Sequence, residues 1–168
     1  MDFESEVKHR LMRCGRTKII LLGIGNEFRR DDAIGLTVID KLAAFVHDPL
    51  VILIKCHDAP ERFTGHVKRL EPTCIIIIDA ADFGGFPGQT HIFELEELEN
   101  LALTTHRPSL AVLGEYLRAE TAADVFVIGI QPANQEYGEG MSRTANRASV
   151  QVVDALRTAL NQCGTKRD

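Results

Sequence analysis

The chain of 168 residues is long enough for one domain with a continuous hydrophobic core. Hydrophobic residues make up 45% and charged residues 26%, the balance of a globular protein, and a net charge of −5 argues against a nucleic-acid-binding protein. No stretch approaches the ~20 apolar residues of a membrane span. The start of the chain, MDFESEVKHRLMRCGR, lacks the apolar segment of a signal peptide. We therefore expect a cytoplasmic protein without membrane insertion. Its four scattered cysteines, with no CxxC pair, are expected to be reduced thiols.

Strand-like and helix-like segments alternate along the chain. Residues 1–16 are predicted as an N-terminal extension with a short amphipathic helix at Phe3–Leu11, and residues 164–168 as a frayed tail. Between them, continuous apolar runs indicate buried strands, and apolar residues three or four positions apart indicate helices. In chain order the predicted elements are strand Lys18–Leu22, helix Ala33–Val46, strand Leu50–Lys55, helix Glu61–Leu70, strand Thr73–Asp79, loop Phe83–Gln89, edge strand His91–Leu95, helix Leu110–Leu117, strand Asp124–Ile130, irregular segment Gln131–Glu139 and helix Thr144–Leu160.

This alternation predicts an α/β fold in a single domain, 1–168, with a mostly parallel sheet covered by helices on both faces. In such sheets, ligands bind beyond the carboxyl ends of the strands. Candidate functional residues are therefore those that directly follow a predicted strand.

The first candidate group follows the first strand. Gly23 and Gly25 permit a tight turn, and Asp31 and Asp32 precede the next helix, where either acid could cap the helix or serve the site. A dinucleotide-binding GxGxxG motif would need a third glycine where Phe28 stands, which leaves a nucleotide-binding Rossmann-like protein as a weaker alternative.

Two further groups follow later elements. Asp79 ends the apolar run of the third strand, where a carboxylate is costly unless it is used or paired, and His106 lies in the loop before the helix at Leu110. Asp32, Asp79 and His106 could converge at one edge of the sheet. Carboxylate and imidazole ligands suit an ion such as Ni²⁺ or Zn²⁺ with open positions for water. A rival cluster, Cys56–Asp58, also follows a strand, but adjacent residues rarely chelate one ion.

Several segments together resemble the maturation endopeptidases of nickel–iron hydrogenases. The similarity runs from about Ile19 to Leu156 and includes the GxGN…D[DE]xxG pattern of that family. The segments that carry it are LLGIGNEFRRDDAIGLTVIDKL (Leu21–Leu42), DAPERFTG (Asp58–Gly65), IIIIDAADFG (Ile75–Gly84), TTHRPSL (Thr104–Leu110) and IGIQP (Ile128–Pro132).

The resemblance implies a three-layer α/β/α sandwich around a twisted, mostly parallel five-stranded sheet. It implies an endopeptidase that removes the C-terminal extension from the nickel-loaded precursor of a hydrogenase large subunit. Asp32, Asp79 and His106 are then the catalytic and metal-contacting residues, and the nickel is supplied by the precursor. A non-catalytic nickel-sensing chaperone of the large subunit would use the same three residues and stays an alternative.

Overall fold

A five-stranded sheet lies at the centre of the computed structural model, which describes residues 1–15, 17–101 and 110–164. The strands are β1 (Ile19–Ile24), β2 (Val51–His57), β3 (Cys74–Ala80), β4 (Thr90–Phe93) and β5 (Asp124–Ile130). Their order in the sheet is β2-β1-β3-β5-β4. All neighbours pair in parallel except β4, which pairs antiparallel to β5 at the sheet edge. The predicted mostly parallel sheet is confirmed.

Helices cover both faces of this sheet. The helices are α1 (Phe3–Cys14), α2 (Ile34–Leu42), α3 (Thr64–Leu70), α4 (Leu95–Asn100), α5 (Leu110–Thr121) and α6 (Arg143–Gly164), with 3-10 turns at Arg30–Ala33 and Pro60–Phe63. One apolar core contains residues of α1, α2 and α6, and a second core on the opposite face contains residues of α3, α4 and α5. The fold is therefore the expected three-layer α/β/α sandwich. No helix within the described ranges has the length and apolar character that crossing a membrane requires.

The observed helices differ from the predicted ones at several ends. The helix expected over Ala33–Val46 begins with a 3-10 turn and ends at Leu42, and α4 was not predicted at all. Its start is fixed by a capping box, in which the side chains of Glu94 and Glu97 each accept the other residue's backbone N–H. The last helix extends to Gly164, and residues 165–168 lie outside the described part of the chain.

Glycines allow α2 to lie directly on the carboxyl ends of two strands. A Cβ atom added at Gly35 would lie 2.1 Å from the carbonyl oxygen of Ile24 in β1 and 2.4 Å from that of Ile78 in β3. A Cβ atom at Gly25 would lie 2.2 Å from the carbonyl oxygen of Asp32. Only glycine permits these approaches, and they hold the 3-10 turn against the edge of the sheet where ligand sites of this fold class occur.

Candidate active site

The first of the two adjacent acids, Asp31, accepts hydrogen bonds from the loop between β5 and α6 and stabilises it. It is 1% exposed. Its Oδ2 atom accepts hydrogen bonds from the backbone N–H groups of Ala133 (2.8 Å) and Asn134 (3.3 Å) and from the hydroxyl of Ser142 (2.8 Å). Its Oδ1 atom accepts from the backbone N–H of Ser142 (2.6 Å). These donors offset the cost of burying the carboxylate, so Asp31 has a structural role in the loop.

One interpretation of the sequence expected one of the two adjacent acids to cap a helix. In the structure neither acid does so. The cap position of the 3-10 turn is Arg29 and that of α2 is Ala33, and neither position has a side-chain cap hydrogen bond. The acids lie inside the turn, where their backbones are already in helical conformation. The expectation of a cap is therefore wrong, although both acids do lie in the first turn, and the carboxylate of Asp31 binds the neighbouring loop.

The second acid, Asp32, is positioned by the same loop. It is 3% exposed, and its Oδ1 atom accepts a hydrogen bond from Nε2 of Gln135 at 3.0 Å. Gln135 is itself held, because its carbonyl oxygen accepts a hydrogen bond from Nε of Arg29 at 3.1 Å. The backbone of Asp32 is fixed as well, since its N–H donates to the carbonyl of Arg29 (3.0 Å) and its carbonyl accepts from the N–H of Asn26 (3.2 Å). The geometry of this carboxylate is thus set before any substrate arrives.

The third carboxylate, Asp79, lies near the end of β3 between two strands. It pairs with Gly129 of β5 and is 3% exposed. Because alternate strand residues face opposite sides, Asp79 shares the face of Ile75 and Ile77, which belong to the core covered by α3, α4 and α5. Asp79 near the end of β3 and Asp32 in the turn after β1 lie at the same edge of the sheet, because β1 and β3 are neighbouring parallel strands.

The predicted histidine cannot be placed beside them. His106 lies outside the described residues, as do its neighbours in the segment 102–109. Within residues 1–15, 17–101 and 110–164, no three histidine, cysteine, aspartate or glutamate side chains form a group that could hold a metal ion. The assignment of Asp32, Asp79 and His106 as a common site stays a prediction.

The rival cluster Cys56–Asp58 lies at one side of this edge. His57 and Asp58 are exposed and line a cleft of about 150 Å³ that also includes Gly25 and Phe28. Cys56 is buried, and its burial raises the pKa of the thiol to about 12, so that it stays protonated at neutral pH. A protonated, buried thiol is a poor nucleophile and a poor metal ligand, which argues against a catalytic role for this cluster.

The glycines at the end of β1 and directly after it, Gly23 and Gly25, give no support to the nucleotide-binding alternative. A Cβ atom at Gly23 would lie 2.5 Å from the carbonyl oxygen of Gly35, and the space above Gly25 is taken by the backbone of Asp32. These glycines are therefore used for the approach of the protein's own backbone. In a dinucleotide-binding site, the equivalent space is needed for the pyrophosphate.

Three polar residues of the site region were not predicted from the sequence. Gln135 contacts Asp32, Ser142 contacts Asp31, and Gln131 holds the loop after β3. The irregular polar segment predicted after the last strand, Gln131–Glu139, contains Gln131 and Gln135 but not Ser142. Its composition indicates a loop, but it does not tell which residues the loop contacts.

Comparisons with protein families, individual proteins and solved structures all find hydrogenase maturation proteases. The family described as HycI, hydrogenase maturation protease, matches residues 36–159, most of the chain. The chain is 34% identical to the hydrogenase 3 maturation protease of Escherichia coli K12 over 114 residues, 67% of this chain and 72% of that protein. It resembles the structure of HycI, a NiFe hydrogenase maturation protease from Thermococcus kodakarensis, with a TM-score of 0.81 and 29% identity, covering 86% of this chain and 93% of that one.

A likeness of fold extends to the hydrogenase maturating endopeptidase HybD from E. coli. The TM-score is 0.73 at 24% identity, over 88% of this chain and 94% of that one. The matching family, the E. coli relative and the solved structure of HycI agree with one another, and the family match includes Asp79 but begins after Asp32. The chain belongs to the hydrogenase maturation protease family.

Proposed function

We propose that this protein is an endopeptidase that removes the C-terminal extension from the nickel-loaded precursor of a hydrogenase large subunit. The observation that carries the proposal is a pair of buried carboxylates, Asp32 and Asp79, at the carboxyl ends of two adjacent strands. The chain that holds them belongs to the hydrogenase maturation protease family. The substrate partner is the precursor itself. The compartment that we expect, the cytoplasm, stays a prediction.

In this proposal the nickel belongs to the substrate. Asp32, Asp79 and His106 contact the ion that the precursor holds, and this contact positions the peptide bond that is to be cut. Two features support the arrangement. Asp79 faces the helical layer that contains α5, and His106 precedes the first residue of α5, Leu110, by four positions in the sequence.

The hydrolysis needs a water molecule that has lost, or is losing, a proton as it attacks the scissile carbonyl. The substrate nickel can lower the pKa of a bound water, or a carboxylate, with Asp32 as the candidate, can accept the proton. Both routes use a carboxylate in a fixed orientation, and the hydrogen bond from Gln135 provides that orientation for Asp32.

The proposal is tested by intact-mass spectrometry of the cognate precursor after incubation with the protein. The precursor is prepared in nickel-loaded and nickel-free forms. We expect loss of a C-terminal peptide from the nickel-loaded form only. Asp32→Asn, Asp79→Asn and His106→Ala should each slow this cleavage by about a hundredfold or more, the usual loss when a group that acts on the reacting atoms is removed.

Asp58→Asn is the matched control, because Asp58 is an exposed acid of the rival cluster at the same edge. Its cleavage rate should equal that of the wild type. Wild-type rates in Asp79→Asn or His106→Ala would refute the site assignment. An unchanged mass of the nickel-loaded precursor, with a complex still detectable, would instead favour the non-catalytic chaperone, which membership of a protease family does not favour.

A further inference from the structure

Three strongly exposed aromatic side chains lie at the sheet edge that carries Asp32 and Asp79. Phe28 is 61% exposed, Phe86 is 82% exposed and Tyr137 is 79% exposed. We call these three residues the aromatic rim. Large apolar side chains exposed to this extent on neighbouring loops are a feature of surfaces that bind other proteins.

The three rings are on loops that leave three adjacent strands. Phe28 follows β1, Phe86 follows β3 and Tyr137 follows β5, and the strands stand next to one another in the order β1-β3-β5. Each loop starts at the carboxyl end of its strand, where the buried aspartates also lie. The rim therefore lies on loops at the same edge of the sheet as Asp32 and Asp79.

Hydrogen bonds join the loops of Phe28 and Tyr137 to each other. The N–H of Gly138 donates to the carbonyl of Phe28 at 2.8 Å, and the N–H of Arg30 donates to the carbonyl of Gly138 at 3.1 Å. The guanidinium carbon of Arg29 lies 5.2 Å from the centroid of the Tyr137 ring, within range of a cation–π contact. These two rings are thus presented by a bonded pair of loops.

The loop of Phe86 is held by the buried side chain of Gln131 and by Gln89. The Oε1 atom of Gln131 accepts hydrogen bonds from the N–H groups of Phe83 (2.9 Å) and Gly85 (3.0 Å). The N–H of Phe86 donates to Oε1 of Gln89 at 2.9 Å, and the N–H of Gln131 donates to the carbonyl of Gln89 at 2.8 Å. The ring of Phe86 projects from a loop that is closed by its own hydrogen bonds.

An exposed aromatic ring on another part of the molecule serves as a comparison. Phe45 follows the end of α2, far in the fold from the carboxyl edge because α2 runs back along the sheet, and it is 45% exposed. The guanidinium carbon of Arg157 lies 4.8 Å from its ring centroid, so this ring is partly covered by the protein itself. The rim residues Phe28 and Phe86 have no such cover from an aromatic or cationic contact among the described residues.

We propose that the aromatic rim docks the folded body of the large-subunit precursor around its nickel site, an inference that rests on the proposed function. The occupant follows from this shared edge: whatever brings its scissile bond to this edge must meet the rim. With side chains that bury about 150–250 Å² each, the three rings present at least about 450 Å², which is half or more of the ~800 Å² that each partner contributes to a standard protein–protein interface. A patch of that size is in the range that folded proteins bury when they bind one another, so the partner that we propose is a folded protein.

The test measures binding separately from cleavage. The dissociation constant for the nickel-free precursor, which is not cut, is measured by biolayer interferometry for Phe28→Ala, Phe86→Ala, Tyr137→Ala and the triple variant. At least one single variant should bind about tenfold more weakly, as expected for an aromatic anchor, and the triple variant more weakly still. Phe45→Ala is the control and should bind like the wild type. Thermal unfolding of each variant verifies that the fold is intact.

Cleavage of the nickel-loaded precursor gives a second measurement. The rim variants should raise KM and leave kcat near the wild-type value, because the rim holds the partner and does not touch the reacting atoms. Wild-type affinity in the triple variant would overturn the proposal. So would an equal loss of affinity for an isolated peptide of the C-terminal extension, which would make the rim a peptide-binding pocket. Failure of the wild type to cut the nickel-loaded precursor would overturn the proposed function instead, whatever the affinities.

Discussion

Replacing Asp31 by asparagine tests whether this carboxylate holds the loop between β5 and α6. The carboxylate accepts four hydrogen bonds while it is 1% exposed. An asparagine of the same shape keeps only one acceptor oxygen, so at least one donor, such as the backbone N–H of Ser142, would face an amide NH₂ group. A lost charge-assisted hydrogen bond and an unsatisfied buried donor together cost about 3 kcal/mol. For a chain of this size, that corresponds to a fall in Tm of about 6–12 °C.

The measurement is urea unfolding followed by circular dichroism, with the free energy of unfolding taken from the transition midpoint at a common slope. Asp40→Asn is the matched control. Asp40 is an exposed acid whose Oδ2 atom lies 3.1 Å from Nζ of Lys55, and a surface pair of this kind contributes about 1 kcal/mol at most. If Asp31→Asn lost no more stability than this control, the structural role that we assign to Asp31 would be refuted.

Three other substitutions or reactions test separate features. Gly35→Ala should lower the free energy of unfolding by about 3 kcal/mol, because its Cβ atom would overlap two strand carbonyls. Gly65→Ala is the control: Gly65 is an exposed position of α3, and alanine there should raise the free energy of unfolding by up to about 1 kcal/mol. Urea unfolding measures both. Gln135→Leu removes the hydrogen bond to Asp32 and should lower kcat/KM for precursor cleavage about tenfold. An unchanged kcat/KM in the mass assay would show that this hydrogen bond is dispensable. The Cys56 thiol has its pKa raised from 9.0 to about 12, so iodoacetamide at pH 8 should alkylate it about a thousandfold more slowly in the native protein than in urea, and equal rates would contradict its burial.

The strands were predictable because their signal is local. β1, β3 and β5 each contain a short run of apolar residues that is followed by glycine or aspartate, and such runs identify buried strands of a parallel sheet. The rule that sites lie beyond the carboxyl ends of strands then selected Asp32 and Asp79, which lie at the same edge of the sheet; their role in a site stays a prediction.

The roles of the two adjacent acids were not predictable in this way. The partners of Asp31 and Asp32 are 102 to 111 residues away in sequence, so no local pattern tells which acid binds the loop. The short helix α4 was missed for a different reason. Its six residues are too few to show helical periodicity, and its start depends on the reciprocal hydrogen bonds of Glu94 and Glu97.

The loop fastened by Asp31 also bears on how tightly a substrate can be held. Each residue that becomes ordered only on association subtracts from the affinity, because its conformational freedom is lost at that moment. Here the backbone N–H groups of Ala133, Asn134 and Ser142 are already bonded within the protein. The entropy of ordering this loop is therefore paid once, during folding, and association with a precursor begins from a surface whose shape is preorganised.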